Sequence, residues 1–149
     1  MTGSDELLAT CWTTAGDASP SRADLHSPVP LRTRIEATAA AGFTGFGILA
    51  DDLAVAERWY ATVFAGAPDA RPMAGLLEWH LADSFGVQVW LDPSRAGRSA
   101  MVIEDSDLDA LATRLTAHGI DHDGPQPGGG ARLLLLSDPD GNHVAISGR

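Results

Sequence analysis

The chain has 149 residues, which fits one domain or a small domain carrying an extension, and its 44% hydrophobic content is enough for a real core. The net charge of −10 argues against a nucleic-acid surface, which needs clustered basic residues, and is compatible with a cationic small ligand or with solubility alone. Cys11 is the single cysteine, so neither an intrachain disulfide nor a cysteine-rich metal site is possible, and a reducing cytoplasm is the expected location.

In chain order, the acidic start MTGSDELLAT is no signal peptide, and no run of about 18 apolar residues exists to span a membrane. Leu7 to Thr13 can be a short strand. A long proline-bearing loop follows, then a helix from Pro30 or Leu31 to Gly42. Phe43 to Ala50 reads as a second strand, which would run parallel to the first if the two share a sheet. Asp51 or Asp52 can cap the next helix, with Leu53, Ala56, Trp59/Tyr60 and Val63/Phe64 on the helical period and Gly66 as its end.

The stretch Leu76 to Pro93, LLEWHLADSFGVQVWLDP, reads as a hairpin. Leu77, Trp79 and Leu81 alternate with Glu78, His80 and Ala82, and Val87, Val89 and Leu91 alternate with Gln88 and Trp90. A turn centred near Phe85 would set Trp90 opposite His80 and Gln88 opposite Ala82. One face is then apolar. The other carries Glu78, His80, Gln88 and Trp90, which suits either ligand contact or plain solvation.

Beyond the hairpin, Ser99 to Glu104 is a strand, and Ser106 or Asp107 caps a helix whose inner face is Leu108, Leu111 and Leu115. Ile120 to Asp123 reads as a short strand and GPQPGGG as a flexible loop. Arg132 to Ser137 and His143 to Ser147 are strands around the turn Asp138-Pro139-Asp140-Gly141-Asn142. From residue 45 onward the order is nearly a doubled strand–helix–strands unit.

The segments ADDLAVAERWYATVFAG, LLEWHLADSFGVQVWLDP, EDSDLDALATRLTAHGI and SDPDGNHVAIS together resemble the vicinal oxygen chelate superfamily of glyoxalase-like and bleomycin-resistance-like proteins. The resemblance covers residues 45–149. It implies an α+β fold of paired βαβββ modules whose curved sheet makes a cup, often in a homodimer, here with an N-terminal strand–helix extension over residues 1–44. The metal enzymes of the family place His, Glu or Gln at four strand positions, which match Gly45, Gln88, Ser99 and Ala145 here. Gln88 alone could coordinate, and a catalytic divalent ion needs about three protein ligands. The expectation is therefore no metal, no cofactor and a small organic ligand.

Residues 7–52 resemble the opening strand–helix–strand of xylose-isomerase-like barrel proteins that isomerise sugar phosphates. A barrel of that kind needs eight strand–helix units, so only a fragment fits, and the chain reads as a possible chimera. Its isomerase activity is not carried over.

The ligand-facing set expected from these readings is Glu78, His80, Gln88, Trp90, Met101 and His143. His80 and His143 are candidate acid–base groups, because imidazole changes charge near neutral pH, although either can equally be a solvated side chain. Trp90 could stack on a planar or cationic ligand, and Met101 and Ile103 would make an apolar far wall. GPQPGGG does not fit a phosphate loop, and no lysine occurs to serve one. The cluster in AHGIDHD is a weak metal candidate, its groups expected to splay into solvent. The readings left open are a metal-free binder, an enzyme using His80 or His143, and a recombined chain with a stable fold and no evolved activity.

Overall fold

The computed structural model describes residues 44–149 apart from 84 and 129. The strand and helix expected before residue 44, and the proposed boundary there, lie outside the described residues. Two modules follow one another. The first comprises β1 (Thr44–Ala50), α1 (Leu53–Val63), β2 (Leu76–Ala82) and β3 (Phe85–Leu91). The second comprises β4 (Ala100–Asp105), α2 (Leu108–Ala117), β5 (Gln126–Gly128), β6 (Ala131–Ser137) and β7 (His143–Gly148).

The sheets have orders β1-β3-β2 and β4-β7-β6-β5. Each module runs its first strand parallel to its last, with the remaining strands antiparallel. The repeat read from the sequence is thus a repeat of topology, and the α+β fold of paired strand–helix–strand modules is the one observed.

Helix α1 starts where the Asp52 carboxylate accepts from the Ala54 and Val55 N–H groups, at 2.7 and 3.2 Å. It stops at Phe64, and the left-handed residue beyond is Ala65 at φ 58°, one position before the expected Gly66. Arg114 of α2 holds this end, donating from Nε to Thr62 O and from Nη2 to Val63 O, at 2.9 and 2.8 Å. A cation on the last carbonyls of a helix satisfies groups that lack intrahelical donors and opposes the helix dipole.

Both helices share one apolar core with both sheets. Ile48, Tyr60, Trp79, Val89, Leu111 and Ile146 are among its buried members, and the expected inner face of α2, Leu108, Leu111 and Leu115, is fully in it. Strand alternation then turns the remaining residues of each sheet away from the helices.

The hairpin register differs from the expected one. Glu78 pairs with Gln88, Leu76 with Trp90 and His80 with Gly86, and Ala82 meets Phe85 directly after an irregularity. Phe85 belongs to the strand because its ring packs edge-on against Phe46, centroids 5.9 Å apart. The reversal therefore falls earlier than Phe85. The slip is by an even number of residues, so every side chain keeps its expected face.

The end of the second module is also rearranged. Residues 120–123 are not a strand, and β5 instead forms inside GPQPGGG, pairing Gln126 with Leu133. Pro127 is tolerated there because β5 lies at the sheet edge.

The modules are joined by a buried polar network. The Asn142 amide donates to Leu49 O at 2.9 Å and to Asp138 Oδ2 at 2.7 Å, and its oxygen accepts from Ser99 N–H at 2.8 Å. The Ser99 hydroxyl accepts from Leu49 N–H at 3.2 Å, and Tyr60 donates its hydroxyl to Asp138 Oδ2 at 2.8 Å. Asp138 Oδ1 takes the backbone N–H groups of Asp140 and Asn142 at 3.0 and 2.8 Å, which shapes the Asp-Pro-Asp-Gly-Asn turn. Burial, and then the Asp138 carboxylate, push the Tyr60 phenol well above its ordinary range, so it stays a donor.

Candidate functional site

The register arranges the outward face of the first sheet in three cross-strand rows. Leu49, Trp90 and Leu76 form an apolar row. Gly47, Gln88 and Glu78 form the next, and Gly45, Gly86 and His80 the third. The polar face expected from the alternation is therefore real, and its members touch. Gln88 donates from Nε2 to Glu78 Oε1 at 2.5 Å, and Trp90 donates from Nε1 to Gln88 Oε1 at 3.2 Å. His80 Nε2 lies 3.5 Å from Glu78 Oε2. The Glu78 side chain is 13% exposed and that of His80 46%, so the carboxylate is largely sheltered and the imidazole stands at the rim.

The backbone of β2 is held from the connecting loop. Asp69 Oδ2 accepts from His80 N–H at 2.7 Å, and the Asp69 and Ala70 N–H groups donate to Glu78 O. Both sides of Glu78 are thus fixed, one by β3 and one by the Ala70 bridge.

The other expected members lie elsewhere. Met101 is 3% exposed and packs in the core, paired with the buried Val144. The expectation that Met101 and Ile103 wall the cup is corrected: they share a face with Ser99, and that face is buried, with Ser99 held in the network. Val102 is the outward residue beside Met101, 58% exposed and paired with Ala145, whose other neighbour is Leu135, 63% exposed. The second sheet thus has an apolar outward row of its own.

His143 is exposed on β7, between Ala100 and Ser137. It lines an open cleft of about 570 Å3 with Trp59, Asp121, His122, Asp123 and Leu135, and none of Glu78, His80, Gln88 and Trp90 lines it. His122 does not splay into solvent as expected: its Nδ1 accepts from Gly124 N–H at 3.0 Å, which leaves Nε2 as donor toward Ala112 O at 3.0 Å.

At the four positions matched to the family's metal ligands, the donor groups are absent or taken. Gly45 and Ala145 carry no donor. Ser99 Oγ accepts from Leu49 N–H, and both ends of the Gln88 amide are hydrogen-bonded. The residue opposite Gln88 is Gly47 rather than Gly45. A Cβ at Gly45 would overlap the Gly86 carbonyl oxygen, whereas one at Gly47 would meet none of the described residues within 4 Å. Among the described residues, no three His, Cys, Asp or Glu side chains are grouped to hold a metal. Among the same residues, no helix is long and apolar enough to cross a membrane.

Gly47 is the member of these rows that sequence reading missed. Its signal was present in the GFG pattern of β1, but only the register shows which glycine faces Gln88.

No protein-family model matches the sequence, and no curated protein matches it. Solved structures do match. A glyoxalase/bleomycin resistance protein from Catenulispora acidiphila superposes with a TM-score of 0.65 at 22% identity, over 72% of this chain and 97% of that one. The antibiotic-binding protein TnmS3 from a Streptomyces species gives 0.61 at 22% identity, over 71% and 93%. A bleomycin-binding protein complexed with bleomycin gives 0.59 at 18% identity, over 71% and 96%. The shared feature at these identities is the fold.

Proposed function

We propose, from a fold shared with glyoxalase and bleomycin-resistance proteins, that this chain binds a small organic molecule without a metal on the outward face of its first sheet. The observation that carries the reading is the connected line His80–Glu78–Gln88–Trp90. A sheet face with an apolar row, a tied polar row and a glycine-lined floor has the mixed chemistry of a ligand wall. The metal-free part is supported by the donor set: glycine, alanine, an engaged amide and a buried hydroxyl do not supply the three ligands a catalytic ion needs.

A homodimer fits the reading as well. The outward row of exposed Val102, half-buried Ala145 and exposed Leu135 would be covered by a second copy. A cytoplasmic location belongs to the same proposal, since a single cysteine forms no intrachain disulfide that would call for an oxidising compartment.

The test is a thermal-shift screen of small organic molecules run in excess chelator. A ligand of the native state raises the melting temperature, and Trp90→Ala and Glu78→Ala remove that rise. A flat screen favours a stable fold with no evolved activity. Stabilisation that requires a divalent ion contradicts the metal-free reading.

A second reading, acid–base chemistry at His80, is favoured by the imidazole standing 3.5 Å from the Glu78 carboxylate. It requires that His80→Ala abolish turnover of a bound compound while leaving its affinity within a few-fold.

A further inference from the structure

Hydrogen-bond accounting on the same face narrows the ligand, an argument that rests on the binding reading above. The Gln88 amide is occupied at both ends, donating to Glu78 and accepting from Trp90. Glu78 is an acceptor-only group with room for about four hydrogen bonds, and the described residues bring it Gln88 at 2.5 Å and His80 at 3.5 Å. Its carboxylate is largely sheltered, and no arginine lies within ion-pair distance among the described residues. Capacity left at this carboxylate is for donors, and a sheltered carboxylate favours a donor that carries positive charge.

The shape of the face gives the second half of the inference. Glu78, Gln88 and Gly47 lie in one cross-strand row, so Gly47 stands two strand spacings from Glu78, roughly 10 Å. No side chain rises at Gly47, and among the described residues nothing lies within 4 Å of the place a Cβ would take. The neighbouring row offers the Trp90 indole between Leu49 and Leu76. A flat ring system fits over such a floor, with an aromatic surface beside it and an acceptor at one end.

We infer that the ligand is a planar organic cation of the amidinium or guanidinium kind, its charged end on Glu78 and its ring over Gly47 beside Trp90. Gly47 sets the depth of the site. It is not required by the strand, because a Cβ there would clash with none of the described residues.

Three matched probes test this: benzamidine, benzamide and benzoate, titrated into the full chain and followed by the Trp90 indole N–H resonance. Benzamidine is expected to bind at least tenfold more tightly than benzamide, and benzoate not at all. Glu78→Gln should erase the preference for benzamidine. Gly47→Ala should weaken benzamidine binding several-fold and Gly47→Val at least tenfold, with melting temperatures at or above that of the unaltered chain.

Equal binding of all three probes at Trp90 overturns the cation inference and leaves the face a binding surface. Unchanged affinity in Gly47→Val overturns the placement over Gly47. No response at Trp90 to any probe overturns both this inference and the reading it rests on.

Discussion

Two polar constellations in this protein use similar parts to opposite ends. At the module junction, a carboxylate, an amide, a hydroxyl and a phenol (Asp138, Asn142, Ser99 and Tyr60) are sealed from solvent, and both Asp138 oxygens and both ends of the Asn142 amide are occupied. On the first sheet, a carboxylate, an amide, an indole and an imidazole (Glu78, Gln88, Trp90 and His80) are tied to one another on one side and face outward on the other. The difference teaches how to tell architecture from a site. A buried network with its valences filled specifies where chain segments meet. One whose sheltered carboxylate keeps acceptor capacity has room for the donor of a ligand.

Breaking the junction should have the largest effect on stability. Asn142→Ala removes the donor to Leu49 O and Asp138 and leaves the Ser99 N–H without its acceptor. With each buried unsatisfied group costing about 1–3 kcal/mol, urea unfolding should show a loss of about 3 kcal/mol or more. Tyr60→Phe removes one hydrogen bond and leaves Asp138 its others, so about 1–2 kcal/mol is expected in the same measurement. A loss below about 0.5 kcal/mol for Asn142→Ala would mean that the network does not hold the modules together.

The comparison predicts the reverse for the sheet face. Glu78→Ala should change unfolding free energy by about 1 kcal/mol, less than Asn142→Ala, because water entering beside the exposed His80 can take the place of the carboxylate, yet it should abolish ligand binding. A loss as large as that of Asn142→Ala would place Glu78 with the architecture instead.

Much of this division was legible in the sequence. Period-two alternation put Glu78, His80, Gln88 and Trp90 on one face, and it survived a mistaken register because the slip was even. Leu108, Leu111 and Leu115 declared the inner face of α2 by their spacing alone. What escaped were features set by partners distant in sequence. Met101 shares the parity of Ser99, which the family match sets on the cup, whereas Ser99 is buried and bound to Asn142, 43 residues away, so the whole set turns inward. Phe85 was placed in a turn, but a ring 39 positions earlier, Phe46, packs against it. The Asp-Pro-Asp-Gly-Asn segment was visible as a turn, while its role as the junction between modules depends on Leu49 and Tyr60 and is not written locally.

Two smaller effects sharpen the picture of the junction. Arg114→Ala should cost about 1 kcal/mol, read by urea unfolding, since it leaves the Thr62 and Val63 carbonyls without the guanidinium. Asp140 should show the smallest effect and the opposite sign. Burial, and then the charges of Asp138, Asp51 and Asp52, raise its carboxyl above the usual carboxylate range, although the Asp51 N–H opposes the shift. An acid whose folded pKa is raised binds more protons folded than unfolded, so its contribution to stability falls as pH rises from about 4 through the folded value. Asp140→Asn should therefore be slightly stabilising at pH 7. That gain should disappear below about pH 4, as thermal melts across pH would show.

The central claim is that the open network on the first sheet is where a small molecule binds. Trp79 and Trp90 stand on adjacent strands and opposite faces of that sheet, with the Trp79 indole N–H bonded to Gly66 O at 2.9 Å and that of Trp90 to Gln88. Titrating benzamidine in excess chelator while recording the tryptophan indole N–H resonances separates the two faces in one experiment. The account predicts saturable movement of the Trp90 resonance with Trp79 and Trp59 unmoved. Movement at Trp59, in the cleft that contains His143, with Trp90 silent would contradict it.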